Sequence, residues 1–365
     1  MRKLIKKLGK IIILPVISLF GTPKSSNEKI YCKYLNKLQD YYYDQGYSSL
    51  CPSCVPKNNK EEYDLQIIVP VYNAEKYLKS CIDSILNQET KYSYCVSCIN
   101  DGSTDLSLDI LNSYKQKSNV FIVNQENRGH SGARNTGLTL LKSKYVMFVD
   151  SDDELLPNAI DNLLTKAISD DCDIVQGNYI TFTDSEERIS KCVQKNISGY
   201  PWGKIYKTSV FYKNNYLITF PLSYWFEDTV VSFIYKFLAK KNACIDNYVY
   251  SYRINEFGIT KNFQRKHKTL DTFYVTKKLL EDREKLNLPF DCSFRKTLLN
   301  QFVVNTKRLN TLNNKKINKY VFYCSKYLYE QYYNYDVKDI SEVYYIEKAL
   351  STNNYLLFLF FCLFN

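Results

Sequence analysis

The sequence predicts an α/β fold, a mostly parallel sheet covered by helices, with an added helical C-terminal region. Three observations carry this expectation. Short apolar runs alternate with helix-period stretches between Leu65 and Ala167. Each run ends in a polar or acidic turn. From about residue 268 the periodicity is helical, without clear strands.

The elements follow in order. Leu65 to Val69 reads as a buried strand. Asn73 is a plausible N-cap for a helix whose apolar positions are Tyr77, Cys81, Ile82, Ile85 and Leu86. Tyr94 to Ile99 is the next strand and runs into Asn100-Asp101-Gly102-Ser103-Thr104-Asp105. A helix over Leu106 to Tyr114, a strand over Val120 to Val123 and a helix over 131–142 come next. Lys144 to Val149 is a fourth strand, ending in Asp150-Ser151-Asp152-Asp153. Pro157 then marks a helix start, with Ile160, Leu163, Leu164 and Ala167 on one face. This βαβαβ order implies a parallel sheet with both faces covered.

At 365 residues the chain has room for about two domains. Hydrophobic residues make up 45% and charged residues 24%, which excludes a disordered chain, a collagen and a coiled coil. No apolar run reaches the roughly 20 residues of a membrane-spanning helix. The organisation expected is an N-terminal basic amphipathic and apolar segment (1–22), a connector (23–62), a catalytic α/β domain (63–265) and a helical region (266–365). The 34 tyrosines read chiefly as a compositional bias toward Lys, Asn, Ile and Tyr. With only His130 and His267 present, a His-based metal site or triad is not expected.

Twelve cysteines are too dispersed for a disulfide-stapled fold. The pairs Cys51/Cys54 and Cys95/Cys98 have zinc-like spacing. The second pair lies in a strand, where residues three apart face opposite ways; reduced thiols are expected instead. Arg2, Lys3, Lys6, Lys7 and Lys10 oppose Leu4, Ile5, Leu8, Ile11 and Ile12 on a helix, the pattern of an interfacial helix on an anionic membrane surface. A simple docked helix and a cleaved signal peptide are the rival readings, but no small-x-small site follows to support cleavage. The expected location is cytoplasmic, peripheral on the cytoplasmic face of the membrane. Leu356 to Phe364 is a second apolar run, either membrane-facing or packed on the core.

In an open parallel sheet, ligands bind beyond the carboxyl ends of the strands. Three such ends carry Pro70-Val71-Tyr72-Asn73, Asn100-Asp101-Gly102 and Asp150-Ser151-Asp152. Clustered carboxylates are costly unless a cation neutralises them. Mg²⁺ is commonly held by one or two carboxylates plus substrate phosphates. Neither a P-loop nor a dinucleotide glycine fingerprint is present, so a metal-bridged diphosphate is the reading of these residues.

Ile68-Val69-Pro70-Val71-Tyr72-Asn73-Ala74-Glu75, Asn100 to Asp105, Asn127 to Gly137 and Phe148 to Asp153 resemble, in order and spacing, four motifs of family 2 glycosyltransferases with the GT-A fold. Trp202-Gly203-Lys204-Ile205-Tyr206 and Trp225-Phe226-Glu227-Asp228-Thr229 resemble that family's acceptor-side and base motifs. The resemblance covers about residues 65 to 262. It implies an inverting transfer of a hexose or N-acetylhexosamine from a nucleotide-sugar, UDP being favoured, to a glycan acceptor such as a lipid-linked oligosaccharide in capsule, exopolysaccharide or lipopolysaccharide synthesis. By the same resemblance Pro70, Tyr72, Glu75, Asp101, Arg134, Asp150 and Ser151 bind the donor. Asp152 holds Mg²⁺ or Mn²⁺, and Asp228 is the general base, with Glu227 as the substitute. Trp202, Lys204 and Trp225 lie toward the acceptor. His130 is expected only to pack its loop. A metal-dependent nucleotidyltransferase and a non-catalytic sugar-nucleotide binder are the alternatives. The +11 charge lies largely in the first ten residues and the Lys-rich tail, which speaks against nucleic acid as a partner.

Overall fold

The computed structural model describes residues 27–52, 61–185, 188–254, 266–334 and 343–364. The basic segment 1–22, Cys54 and the stretch 255–262 lie outside the described residues. Two compact units emerge, one within 47–258 plus 279–288 and the other within 1–46, 259–278 and 289–365.

Helix α1 (Glu28–Tyr41) belongs to the helical unit. The sheet unit begins with the short strand β1 (Leu50–Cys51). Strands β2 (Tyr63–Val71), β3 (Tyr94–Asp101), β4 (Val120–Gln125) and β5 (Ser143–Phe148) run parallel. They are joined by α2 (Leu78–Leu86), α3 (Ser107–Asn112) and α4 (Gly129–Thr139). β6 (Glu154–Leu155), α5 (Ala159–Ser169), β7 (Ile174–Phe182), β8 (Arg188–Cys192) and β9 (Lys204–Lys207) follow. β10 (Tyr212–Lys213), β11 (Tyr216–Ile218) and β12 (Asn242–Arg253) complete the strands. The large sheet has the order β4-β3-β2-β5-β9-β7-β12-β6, with β8 on β7, while β1, β11 and β10 form a separate small sheet. β9 inserts antiparallel between β5 and β7, and β12 lies parallel to β7.

β2 sits at the centre of the parallel half, and Leu65 to Val71 are all buried. A strand covered on both faces needs this unbroken apolar run rather than an alternating one. The face of Leu65, Ile67, Val69 and Val71 is covered by α2, through Leu78, Cys81, Ile82 and Ile85, and by α5, through Ala159, Ile160, Leu163, Leu164 and Ala167, while the face of Ile68 is covered by α4. α4 approaches β2 closely at Gly137, where an added Cβ would stand 2.5 Å from Ile68 Cγ2. Gly137→Ala is therefore expected to lose about 1–3 kcal/mol to overpacking, outweighing the roughly 1 kcal/mol gained in helix propensity. Denaturant unfolding measures it, and an unchanged midpoint would mean the helix can lift off Ile68 freely.

Two expected caps are corrected. Asn73 does not cap α2: its φ is +47°, its Oδ1 accepts from the Thr104 N–H, and Tyr77 stands at the cap position. An asparagine tolerates the left-handed region, so its amide is free to tie two loops together. Pro157 precedes the helix rather than opening it, because Asn158 (φ +60°) is the cap of α5. β7, β8, β9 and β12 continue the sheet beyond residue 170, where no strand is expected from the local pattern. Their apolar residues alternate with polar ones or are interrupted by Gln176, Gly177 and Asn178.

The described residues of the connector 23–62 divide between the two units. Within the helical unit, Tyr31 stacks on Tyr327 at 4.2 Å and Tyr34 on Tyr323 at 4.8 Å, seating α1 on α8 (Lys315–Tyr332). Within the sheet unit, Asp282 accepts from Ser48 Oγ and from the Ser49 N–H and Oγ. The remaining helices are α6 (Asp271–Lys285), α7 (Cys292–Asn310), α9 (Tyr344–Ser351) and α10 (Tyr355–Phe364). α10 is the apolar run at the C-terminus. Leu357, Phe358, Phe361 and Cys362 pack inward, while Leu356, Leu363 and Phe364 are exposed. Among the described residues no helix is long and apolar enough to cross a membrane.

Candidate active site

The carboxyl ends of β2, β3 and β5 lie side by side, as their parallel registers require. β5 is followed by Val149, whose N–H donates to Ile68 O, and then by the turn 150–153. α4 delivers a cation to this turn. Its first residue, Gly129, has φ +74°, which lets the chain enter the helix with His130 and Arg134 on one face.

Arg134 is 2% exposed and bridges two loops. Its Nη2 lies 2.8 Å from Asp150 Oδ1 and its Nη1 2.9 Å from Glu227 Oε1. The guanidinium also stands over the Phe220 ring, 5.0 Å from its centroid. Burial would raise the Asp150 pKa, but Arg134 and His130 overcome it and hold the carboxyl well below its usual range. His130 does more than pack its loop. Its Nε2 lies 3.3 Å from the same Asp150 oxygen, and its Nδ1 lies 3.7 Å from Glu227 Oε1. One turn of α4 therefore faces both acids with two nitrogen-bearing side chains, a feature that i,i+4 spacing on a helix starting at Gly129 makes readable in retrospect.

The nucleoside side is a lattice of loop-to-loop bonds. Asp101 is buried, and its Oδ1 accepts from Gln125 Nε2 (2.6 Å) and the Arg128 N–H (2.9 Å). Gln125 Oε1 in turn accepts from Thr136. Glu75 accepts from the Leu106 N–H, and Asp105 accepts from the Glu75 N–H, so the loops after β2 and β3 hold each other. Pro70 is buried in β2, and Tyr72 beside it is 52% exposed, an unencumbered aromatic face at the strand ends.

In the acid turn, Ser151 and Asp152 are half-buried and Asp153 is buried. Asp153 is pushed well up by burial and by Asp152 and Asp150, against hydrogen bonds from Arg253 and Tyr250. Among the described residues no three His, Cys, Asp or Glu side chains gather as a metal cage. With Asp150 already answered by Arg134, the donor set available around Asp152 is one or two carboxylates. That suits a hard divalent ion that takes its other ligands from water and phosphate, and it does not suit a structural zinc. The described cysteines are all free thiols, and burial lifts Cys98 to about 12.

Glu227 and Asp228 lie in a turn that leads into the π-helical Val231–Tyr235. Val231 N–H donates to Asp228 O at 2.9 Å. Phe226, just before them, has φ +65°, a strained conformation for an aromatic residue. Glu227 is committed to Arg134 through a direct ion pair, and the charge of Asp228 also acts on that guanidinium. Trp225 is half-buried, edge-on to Phe226.

Trp202 and Lys204 lie buried behind this cluster: Trp202 bridges to Phe148 at the end of β5, and Lys204 feels the charge of Asp228. Trp202 is 8% exposed and stacks between Tyr200 at 3.9 Å and Tyr250 at 4.7 Å. Lys204 is fully buried, donating to Ser198 O and Oγ, and burial pushes its pKa well below 10.5. Between that lowered value and 10.5 the unfolded chain holds one proton more than the native one, so stability rises with pH across this window. Lys204→Met is expected to flatten that rise in melting temperature as the pH climbs toward 10.5. Parallel profiles for the two proteins would show that the buried amine stays charged.

Residues 66–230 match the family described as Glycosyl transferase family 2. The putative glycosyltransferase EpsH of Bacillus subtilis is 30% identical over 190 residues, 46% of this chain and 54% of that protein. Glycosyltransferase GlyA of Streptococcus pneumoniae is 32% identical over 194 residues, 46% of this chain and 27% of that protein. The chain thus spans about half or less of the length of these relatives. The crystal structure of S. aureus TarS 1-349 in complex with UDP-GlcNAc superposes with a TM-score of 0.59 at 17% identity, covering 81% of this chain and 89% of that one. The fold is GT-A with extra C-terminal helices, and residues 66–230 carry the match to glycosyl transferase family 2.

Proposed function

We propose that the protein is an inverting glycosyltransferase that moves a hexose or N-acetylhexosamine from a UDP-sugar to a hydroxyl of a bacterial surface glycan. The observation that carries this reading is the Arg134 bridge, which joins the acid turn to the Glu227-Asp228 turn across one buried guanidinium. A leaving nucleoside diphosphate and an attacking hydroxyl need to meet between just such a pair of loops. Asp101, Tyr72, Pro70 and the lattice through Glu75 would seat the nucleoside. Asp150 and Ser151 would meet the ribose and diphosphate.

Mg²⁺ or Mn²⁺, held by Asp152, would act as a Lewis acid for the departing diphosphate. The chain's own work is then to orient the donor and to take a proton. A sugar hydroxyl is a poor nucleophile at neutral pH, and a carboxylate within hydrogen-bond reach removes its proton as it attacks. Glu227 is neutralised by Arg134 and poorly suited to this, which leaves the role to Asp228. One displacement at the anomeric carbon inverts its configuration. The relative TarS was solved with UDP-GlcNAc, which supports a UDP-sugar as donor here.

A panel of nucleotide-sugars, with and without Mn²⁺, tests the reading. Release of UDP from one UDP-sugar, stimulated by Mn²⁺, is expected; release of pyrophosphate from a nucleoside triphosphate instead would favour a nucleotidyltransferase. The basic segment 1–22 would hold the enzyme at the cytoplasmic membrane face, near a lipid-linked acceptor. In flotation with anionic liposomes the full chain is expected to rise and a chain lacking residues 1–22 to stay behind. Equal partitioning would remove the membrane from the account.

A further inference from the structure

The turn that carries Asp150 and Asp152 is gripped from beneath by a single strand. β12 lies antiparallel to β6, pairing Tyr250 with Leu155 and Ser251 with Glu154, so its last residues run directly under the turn. Tyr250 and Arg253, three positions apart, reach it at five points. The Asp150 N–H donates to Tyr250 Oη at 3.1 Å, and Tyr250 Oη donates to Asp153 Oδ2 at 2.8 Å. The Arg253 N–H donates to Asp153 Oδ1 at 2.7 Å. The Arg253 side chain donates through Nε to Asp152 O at 2.8 Å and through Nη2 to Glu154 Oε1 at 2.9 Å.

Both gripping side chains are themselves immobilised. Arg253 is sandwiched between the rings of Tyr77 and Phe182, its guanidinium 4.4 Å and 4.2 Å from their centroids, and its side chain is only 7% exposed. Tyr250 is fully buried and stacked on Trp202. A guanidinium held on both faces in this way has few ways to move. The backbone it binds, at Asp152 O, is then fixed to the core rather than to neighbouring loops. Asp153 acts as the anvil of the grip: it accepts from both β12 residues and is buried to 1%.

We propose that Tyr250 and Arg253 are positioning residues which set the conformation of the 150–154 turn, and thereby the affinity of its carboxylates for the divalent ion that accompanies the donor. The inference rests on the proposed nucleotide-sugar reading for its ligand, but not for its mechanical part. Neither side chain touches the reacting groups. Each acts through the main chain of Asp150 or Asp152 or through Asp153.

The test uses the full chain as wild type, Tyr250→Phe and Arg253→Lys. Tyr250→Phe removes one hydroxyl and keeps the stacked ring, so it decides the matter where Arg253→Lys fails to fold. Two readouts are taken on protein that melts cooperatively: amide hydrogen exchange of residues 150–154, and Mn²⁺ affinity in the presence of UDP, followed by the Mn²⁺ paramagnetic signal. Exchange at these amides is expected to quicken by about tenfold or more, and Mn²⁺ affinity to fall about 10–100-fold, as for other outer-shell supports of a metal site. UDP binding without metal is expected to fall far less than Mn²⁺ affinity, a split that a general loss of structure would not produce. Wild-type exchange and wild-type Mn²⁺ affinity in a folded Tyr250→Phe protein would overturn the proposal. If wild type itself takes up no Mn²⁺ with UDP, the donor reading has failed, and unchanged exchange in the variants is then the result that overturns the grip.

Discussion

Asp228→Asn is expected to abolish sugar transfer while leaving donor binding intact. Removal of a general base lowers turnover by about 10²–10⁴-fold, and an amide keeps the size and hydrogen-bonding capacity of the side chain without its basicity. The loss should therefore appear in kcat, with little change in the KM for the nucleotide-sugar. Glu227→Gln gives the contrasting result. Its carboxylate is bound by Arg134 Nη1 at 2.9 Å, with His130 near the same oxygen. Neutralising it leaves a buried cation half-answered, so stability suffers together with turnover. Turnover by Asp228→Asn within a few-fold of wild type would withdraw the base from this residue.

Arg134→Met carries the largest expected cost in stability. The side chain is enclosed, its two ion pairs join helix α4 to loops 16 and 93 residues further along, and it keeps its charge because Asp150 and Glu227 outweigh its burial. Removing one partner of a buried pair typically costs about 3–5 kcal/mol, because the charges left behind have no answer. At roughly 2–4 °C per kcal/mol for a domain of this size, the melting temperature should fall well outside the effect of a surface substitution. The pH dependence should move too. Asp150, held low in the native protein, binds its proton more weakly when folded than when unfolded. It thus contributes stability above its unfolded value of 3.8, which is lost as the pH falls through the native value. Arg134→Met removes the group that holds Asp150 low, so the variant should lose this contribution and its acid unfolding should begin at higher pH. A variant that melts and titrates like wild type would mean that the bridge carries no net energy.

The first half of the sheet was legible because its physics is local. The apolar run Leu65 to Val69, the spacing of Cys81, Ile82 and Ile85 and the acids after Val149 each state their environment within a few residues, and β2, α2 and the 150–153 turn lie where they indicate. β7, β9 and β12 were not legible, because Gln176, Asn178 and Lys204 are polar side chains buried by partners elsewhere, such as Asp246 O for Asn178 and Ser198 for Lys204. The same distance in sequence hid the support beneath the candidate site: Asp150 and Tyr250 are 100 residues apart, and nothing near Arg253 announces Asp152. The contacts of His130 were hidden for another reason. Its neighbours in sequence are small and polar, while its charged neighbours, Asp150 and Glu227, come from other elements. Asn73 shows the opposite error, where a residue type that favours helix caps serves instead to lock the loop of Thr104.

Calorimetric titration of UDP into the full chain, with and without Mn²⁺ and with Asp152→Asn as the comparison, bears most directly on the claim that strand-end carboxylates and a divalent ion together receive a nucleoside diphosphate. Wild type is expected to bind UDP much more tightly when Mn²⁺ is present, and Asp152→Asn to lose that gain while keeping its fold. No binding of UDP by wild type in the presence of Mn²⁺, or an equal gain in Asp152→Asn, would contradict it.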